Sequence, residues 1–409
     1  MAQTTLPFEL IAPHQRRSGQ QRRSQIDPLP VSSDPVAFDI GLDHAHHHLT
    51  PPVAHLQAEN PVHLGWRHGR QVFGARTLRA TPQVRAWLQL RLAAWVSGQV
   101  FEAVQVTPHY LRQIGNSHCP VTLQALSHVA EAPTEQVIER INTQAAYAAG
   151  NLVSLSRQAQ QARQGRGCEQ ALACAQQLRD ARSSAAVESG APSATHIDGL
   201  DADEWQRLAV LLSFATPLPH SLAATLPLVM MPPPRVRVLN AVQALQVMLT
   251  LQFAHAGYAR RLVALAALMP SSELRQAFQV FMHTLLARRL SMPASDTTAT
   301  TRRAMQDVWR DTLVQRRWQR LATRLTAAQC EQLLQRAAQR QLVAGACQWL
   351  DLDQATEGWA LASAGQVQVL SAPRNAAGVA DEAMPGKARS RDSQNVPSCA
   401  AVTNCGAFQ

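Results

Sequence analysis

From Asp201 to Trp349 apolar residues recur every three or four positions almost without a break, which commits that stretch to helices packed on one another. Start signals fall where the pattern restarts. Asp201 with Glu204 makes a capping box ahead of Trp205, Leu208, Leu211 and Leu212. Ser271 opens a helix expected to run to Leu290, and Thr326 caps one expected over Ala327 to Trp349. Asn240 to His255 is apolar on nearly every side, which predicts a buried central helix. Helices are also expected over Ala259 to Leu268 and Thr300 to Leu325. Prolines at 217, 219 and 232–234 punctuate the run. An all-α helical bundle over 201–350 follows. Aromatic residues make up only 5% of the chain, so its core must be built mostly from Leu, Ala and Val.

The rest of the chain is less regular, and the expected class is mainly α: a mixed α+β N-terminal part followed by the bundle. Residues 1–35, with HQRRSGQQRRSQ, lack periodicity and read as a disordered basic arm. Composition changes at Pro35, and Val36 to Leu42 alternates as a short strand would. A mixed α+β domain is expected over 36–165. Within it, Thr81-Pro82 and Thr107-Pro108 each open a helix, Gly98 closing the first. Residues 166–200 hold one helix, Glu169 to Arg182, and a linker from Ser183 to His196. Residues 351–409 lose the pattern and are expected to be mostly disordered, with Val367 to Leu370 as one strand.

Charge narrows the function classes. Lys and Arg number 38 against 28 Asp and Glu, and only Lys387 is a lysine. A GC-rich genome accounts for arginine in place of lysine but not for the net positive sign. Between Arg235 and Arg340 there are sixteen arginines and five acidic residues, an excess of eleven. Such a balance draws a protein to nucleic acid, which is the partner expected here. Arg316, Arg317 and Arg320 are the best contacts, on a long helix with Arg302, Arg303, Arg310 and Arg324 and with Trp309 and Trp318. That helix either stacks bases and holds phosphates or buries its tryptophans and solvates its arginines. No apolar run reaches the ~20 residues of a membrane span, and MAQTTLPFEL has no secretory pattern, so no membrane partner and a cytoplasmic location are expected. The seven cysteines are odd in number and show no two-residue gap, which makes free thiols the expectation.

One stretch carries a chemical motif. Val137-Ile138-Glu139-Arg140-Ile141-Asn142, then Tyr147, then Gly150-Asn151-Leu152-Val153-Ser154 resembles a variant of the HNH (His-Me finger) nuclease motif, with Cys119-Pro120-Val121-Thr122 like the Cys-x-x-Thr lead-in of some phage members. The likeness covers residues 119–163; the remainder resembles a bacterial family that brings no function with it. The resemblance implies a small ββα element, a divalent metal such as Mg²⁺, and metal-dependent phosphodiester hydrolysis. Glu139 would be the metal-side carboxylate, Asn151 would lock the loop, Tyr147 would pack beneath it, and Gln160 would occupy the last polar position of the helix. Arg140 and Arg157 would be its nucleic-acid contacts.

Departures from the pattern point to impaired chemistry. Arg140 stands where strong members carry His, and arginine is a poor general base. The final Asn or His is missing, and Ala145-Ala146 replaces polar loop residues. His128, or His118, would have to supply the base from outside the motif. A plain helical hairpin also accounts for the stretch, with Pro133-Thr134-Glu135 as a helix start, Val137, Ile138, Ile141 and Ala145 at helical spacing, and Gly150-Asn151 as a C-cap. Elsewhere, Asp43, His44, His46, His47 and His48 form either a metal site, with His44 and His46 on one strand face, or a polar turn. No phosphate loop, dinucleotide fingerprint or nucleophile elbow is present. Three functions therefore stay open: a nucleic-acid-associated protein with a degenerate HNH-like element, a non-catalytic helical scaffold or partner-binding protein, and a metal-binding protein using the N-terminal histidines.

Overall fold

The first four helices begin the same way, with a polar cap followed by proline. Asp34, Asn60, Thr81 and Thr107 each accept a hydrogen bond from a backbone N–H of the first turn, and the proline behind each has no N–H to satisfy. A computed structural model describes residues 34–187, 195–253, 257–291, 304–343, 347–361 and 401–404. The expected disordered arm, the strand at Val367 to Leu370, and Arg302 and Arg303 lie outside the described residues. The chain divides into two compact units, Met1–Leu78 and Arg79–Gln409.

In the first unit α1 (Pro35–His46) packs on α2 (Pro61–Phe73). Two glycines set how closely they cross. A Cβ on Gly41 would fall 2.0 Å from the Val62 carbonyl oxygen, and one on Gly65 would fall 1.9 Å from that of Phe38. The strand expected over Val36 to Leu42 is thus a helix. Its buried residues, Ala37, Phe38, Gly41, His44 and Ala45, follow helical spacing once Asp34 and Pro35 fix the start.

The second unit begins with α3 (Pro82–Val96) and α4 (Pro108–Ile114). A hairpin of β1 (Gln136–Arg140) and β2 (Leu152–Ser156) follows, then α5 (Arg157–Arg163) and α6 (Cys168–Val187). The bundle holds α7 (Ala202–Phe214), α8 (His220–Thr225), α9 (Ala241–Gln252), α10 (Tyr258–Ala266), α11 (Ser272–Leu290), α12 (Thr312–Ala322) and α13 (Ala327–Gln339). Both capping boxes are present, at Asp201 and at Thr326 with Gln329. As expected, α9 is buried almost all round. The class is mainly α with a small β element.

Two expectations in this half are corrected. The helix over Thr300 to Leu325 is interrupted at 309–311, because Asp311 starts α12 afresh by accepting from Leu313 and Val314 N–H. The helix expected to reach Trp349 stops at Gln339, and Cys347–Leu350 forms β4. In the tail expected to be mostly disordered, the described residues include a short helix, α14 (Leu352–Ala355), and strand β5 (Ala401–Asn404), which pairs antiparallel with both β3 (Arg237–Val238) and β4.

One hydrophobic core runs through this unit. It joins Ile141, Val153, Leu155 and Ala159 of the hairpin region to Trp205, Phe281, Trp309 and Trp318 of the bundle and to Trp359 of the tail. Among the described residues no helix is long and apolar enough to cross a membrane.

Candidate functional site

The hairpin places its side chains by simple alternation. Glu139 lies opposite Val153, Val137 opposite Leu155, and Arg140 opposite Leu152. Val137, Val153 and Leu155 pack into the main core beside Ala159 and Ala162 of α5. Ile138 and Leu152, on the other face, join a smaller cluster with Leu90, Tyr110, Leu111 and Ile114. Ser156 ends β2 and caps α5, its hydroxyl accepting from Ala159 N–H. The helix therefore starts on the strand's last residue and lies against the hairpin, as the ββα expectation requires. Continuous helix through 135–148, which the helical-hairpin alternative needs, is absent.

Glu139 meets α5 at its edge. Its Oε2 accepts from Gln160 Nε2 at 3.0 Å, and its Oε1 accepts from the Arg140 N–H at 3.1 Å. One helical turn on, Arg163 is buried and donates to the Arg140 carbonyl and, at 2.6 Å, to that of Ile141. Burial pulls the Arg163 guanidinium below its usual pKa. The Glu139 charge opposes that shift and the Arg140 charge adds to it.

Asn151 is fully buried and ties the loop together. Its Oδ1 accepts from Asn142 N–H at 2.8 Å, while its Nδ2 donates to the Asn142 and Ala146 carbonyls at 3.0 and 2.9 Å. Those three bonds commit both heteroatoms, so Asn151 is a positioning residue and not a catalytic one. Arg140 clasps the same loop from outside. Its Nη1 donates to Gln99 Oε1, Thr143 O and Ala145 O, and its guanidinium lies 4.4 Å from the Tyr147 ring centre. Gly150 adopts φ +89°, and a Cβ there would come within 2.3 Å of the Arg237 side chain. Trp359 Nε1 donates to Ala149 O at 2.9 Å, and Trp359 O accepts from Ala146 N–H at 2.7 Å. The loop is thus gripped by β3 and the tail, and Ala145, Ala146, Ala148 and Ala149 are buried.

The remaining candidates separate. His128 is exposed and stays apart from Glu139: Gln136 N–H donates to the Ser127 carbonyl at 2.8 Å, so His128 lies level with the start of β1. Glu139 is three residues further along, about 10 Å of strand. Arg140 is committed to the loop through Nη1, and Arg157 is forked onto Glu135 at 2.5 and 2.7 Å, so both guanidiniums already hold protein partners. That pairing holds the Glu135 carboxyl below its usual pKa. His44 and His46 sit two apart on α1, about 200° around the helix, not on one strand face. His44 is buried with Nδ1 against Ile40 O, and His46 stacks on Phe73 at 4.4 Å.

On α12, Arg316, Arg317 and Arg320 fall within about 100° of arc, away from the buried Val314, Trp318 and Leu321. Among the described residues none of these three has a hydrogen bond or ion pair. Trp309 and Trp318 are core residues, packed edge to face at 5.7 Å, and cannot stack bases. Three residues at the hairpin, Arg163, Arg237 and Trp359, were not anticipated. Only Arg163 leaves a trace in the sequence, as a charge four positions after Ala159 and one after Ala162, on an apolar helical face.

A divalent cation does not fit these donors. Mg²⁺ demands about six oxygen ligands, whereas Glu139 offers one carboxylate already bonded twice, with the Arg163 guanidinium charge beside it. Among the described residues no group of three or more His, Cys, Asp or Glu could hold a metal ion. No protein-family model, curated protein or solved structure matches the chain.

Proposed function

We propose that the protein associates with nucleic acid through the arginine face of α12, and that its HNH-like hairpin–helix element is structural and has given up hydrolysis. The observation that carries the reading is the unpaired set Arg316, Arg317 and Arg320 on one helical face. Phosphate contacts need guanidinium groups free to fork onto oxygen, and counterion release then drives association without reading sequence. The environment of Glu139 supports the loss of chemistry. Its carboxylate already accepts from the Gln160 amide and the Arg140 backbone N–H, beside the Arg163 guanidinium charge, and His128 is too far away to serve as its base.

Binding and cleavage assays on DNA and RNA at two salt concentrations, with and without Mg²⁺, test both halves. Retention on both polymers, weaker at the higher salt and without cleavage, is the expected result. Mg²⁺-dependent nicking that disappears in Glu139→Ala would restore the catalytic reading. Absence of retention would favour the partner-binding scaffold, for which a groove of about 400 Å³ between α10 and α11, flanked by the exposed Val263, offers a surface.

A further inference from the structure

A cavity of about 520 Å³ opens where loop 116–123, α7, the 229–234 stretch and residues 306–310 meet. Its polar lining is unusual. Arg207 is only 7% exposed. Its Nε donates to the Val121 carbonyl, and among the described residues its two terminal nitrogens have no hydrogen-bond partner. Those two nitrogens are not sealed off in the core, so a guanidinium pinned by its Nε keeps most of its fork open to an anion in the cavity.

Burial lowers the Arg207 pKa, the Glu204, Asp201 and Asp203 charges oppose that, and Arg310, which faces the same space, is near enough to add to it. Asp307 also lines the cavity and holds Arg310 loosely, at 3.8 Å. His118 adds an imidazole at the rim. Two guanidiniums and an imidazole thus confront one carboxylate. The 229–234 stretch gives an apolar wall of Val229, two methionines and prolines.

We propose that this cavity is a phosphate site, in which Arg207 and Arg310 fork onto the anion and the 229–234 wall packs against whatever carries it. Donors converging from α7, from residues 306–310 and from His118 suit a tetrahedral oxyanion with acceptors on every side better than a flat carboxylate. The proposal goes beyond association through α12 and does not depend on it. The anion's source is either a free phosphate compound or the 5′-phosphate of a polynucleotide end.

The test is a titration of the full chain with inorganic phosphate against chloride at matched ionic strength, read by calorimetry and by thermal unfolding. Saturable one-site binding that raises the Tm is expected. Arg310→Ala changes a half-exposed side chain, so the fold survives and affinity drops by about tenfold or more. Arg207→Gln gives the same loss; should it fail to fold, Arg310→Ala decides alone. The triple variant Arg316→Ala, Arg317→Ala, Arg320→Ala keeps phosphate binding, which separates this site from the α12 face. Phosphate no better than chloride, or binding unchanged in Arg310→Ala, overturns the proposal. In a second arm, a 5′-phosphorylated oligonucleotide that outbinds its 5′-hydroxyl counterpart only while Arg310 is present identifies a chain end. Equal binding of the two, with inorganic phosphate still held, identifies a free compound.

Discussion

Asn151 spends its whole amide on the loop it follows, and three buried backbone groups depend on it. Replacing it strands the Asn142 N–H and the Ala146 carbonyl away from water and leaves the Asn142 carbonyl only the Ala145 N–H, at 3.3 Å. Asn151→Ala should therefore cost about 3 kcal/mol of unfolding free energy, read from urea titrations, without changing polyanion affinity. A loss under about 0.5 kcal/mol, the ordinary surface range, would mean the loop holds its shape without the amide. Burial also leaves a mark on pH dependence. It pushes the Tyr110 phenol from 10.0 up to about 12 and the Cys168 and Cys330 thiols from 9.0 up to about 12. All three stay neutral in the folded chain where the unfolded chain ionises them. Their contribution is intact below pH 9 and is lost as the pH climbs towards 12. The urea midpoint is expected to fall across that window, and Cys168→Ala with Cys330→Ala should delay the onset to near pH 10, where unfolded tyrosine begins to ionise. A midpoint that stays level up to pH 12 would contradict the assigned burial.

At the scale of elements, α1 and α2 cross where neither Gly41 nor Gly65 leaves room for a methyl group. Gly65→Ala should lower stability by about 3 kcal/mol through backbone displacement, seen as an early loss of helical circular dichroism on heating; an unchanged profile would place the crossing elsewhere. Helix starts were legible because a cap and a proline are local signals: Thr81-Pro82, Thr107-Pro108, Asp201 and Thr326 all act as read. The same local signal at Asp34-Pro35 was overridden by an accidental alternation over 36–42, and that error put His44 and His46 on one face. The hairpin was legible only through the motif, since Val137, Ile138, Ile141 and Ala145 fit helical spacing equally well. What settles it is non-local. β1 needs β2 sixteen residues away, and the loop between them needs Trp359 and Arg237. Strand β5 was hidden for the same reason, because its partners lie in β3 and β4.

Across the whole molecule, the hairpin–helix element shares one core with the bundle and the tail. A nuclease loop has to admit a phosphodiester, while this one is packed under Trp359. That enclosure, with Gln160 and the Arg163 charge beside Glu139, is why the element reads as structural. The sequence charge count placed the basic excess over 235–340 but could not tell paired from unpaired arginines; Arg140 and Arg157 hold protein partners, whereas Arg316, Arg317 and Arg320 on α12 do not. On the proposed function, polyanion affinity lives on α12. The direct measurement is the dependence of log K on log salt for DNA binding, in wild type and in Arg316→Ala, Arg317→Ala, Arg320→Ala. A wild-type slope that becomes shallower by about 3 in the triple variant, with uniform weakening across sequences, is predicted. Identical slopes and affinities in the two proteins would contradict it.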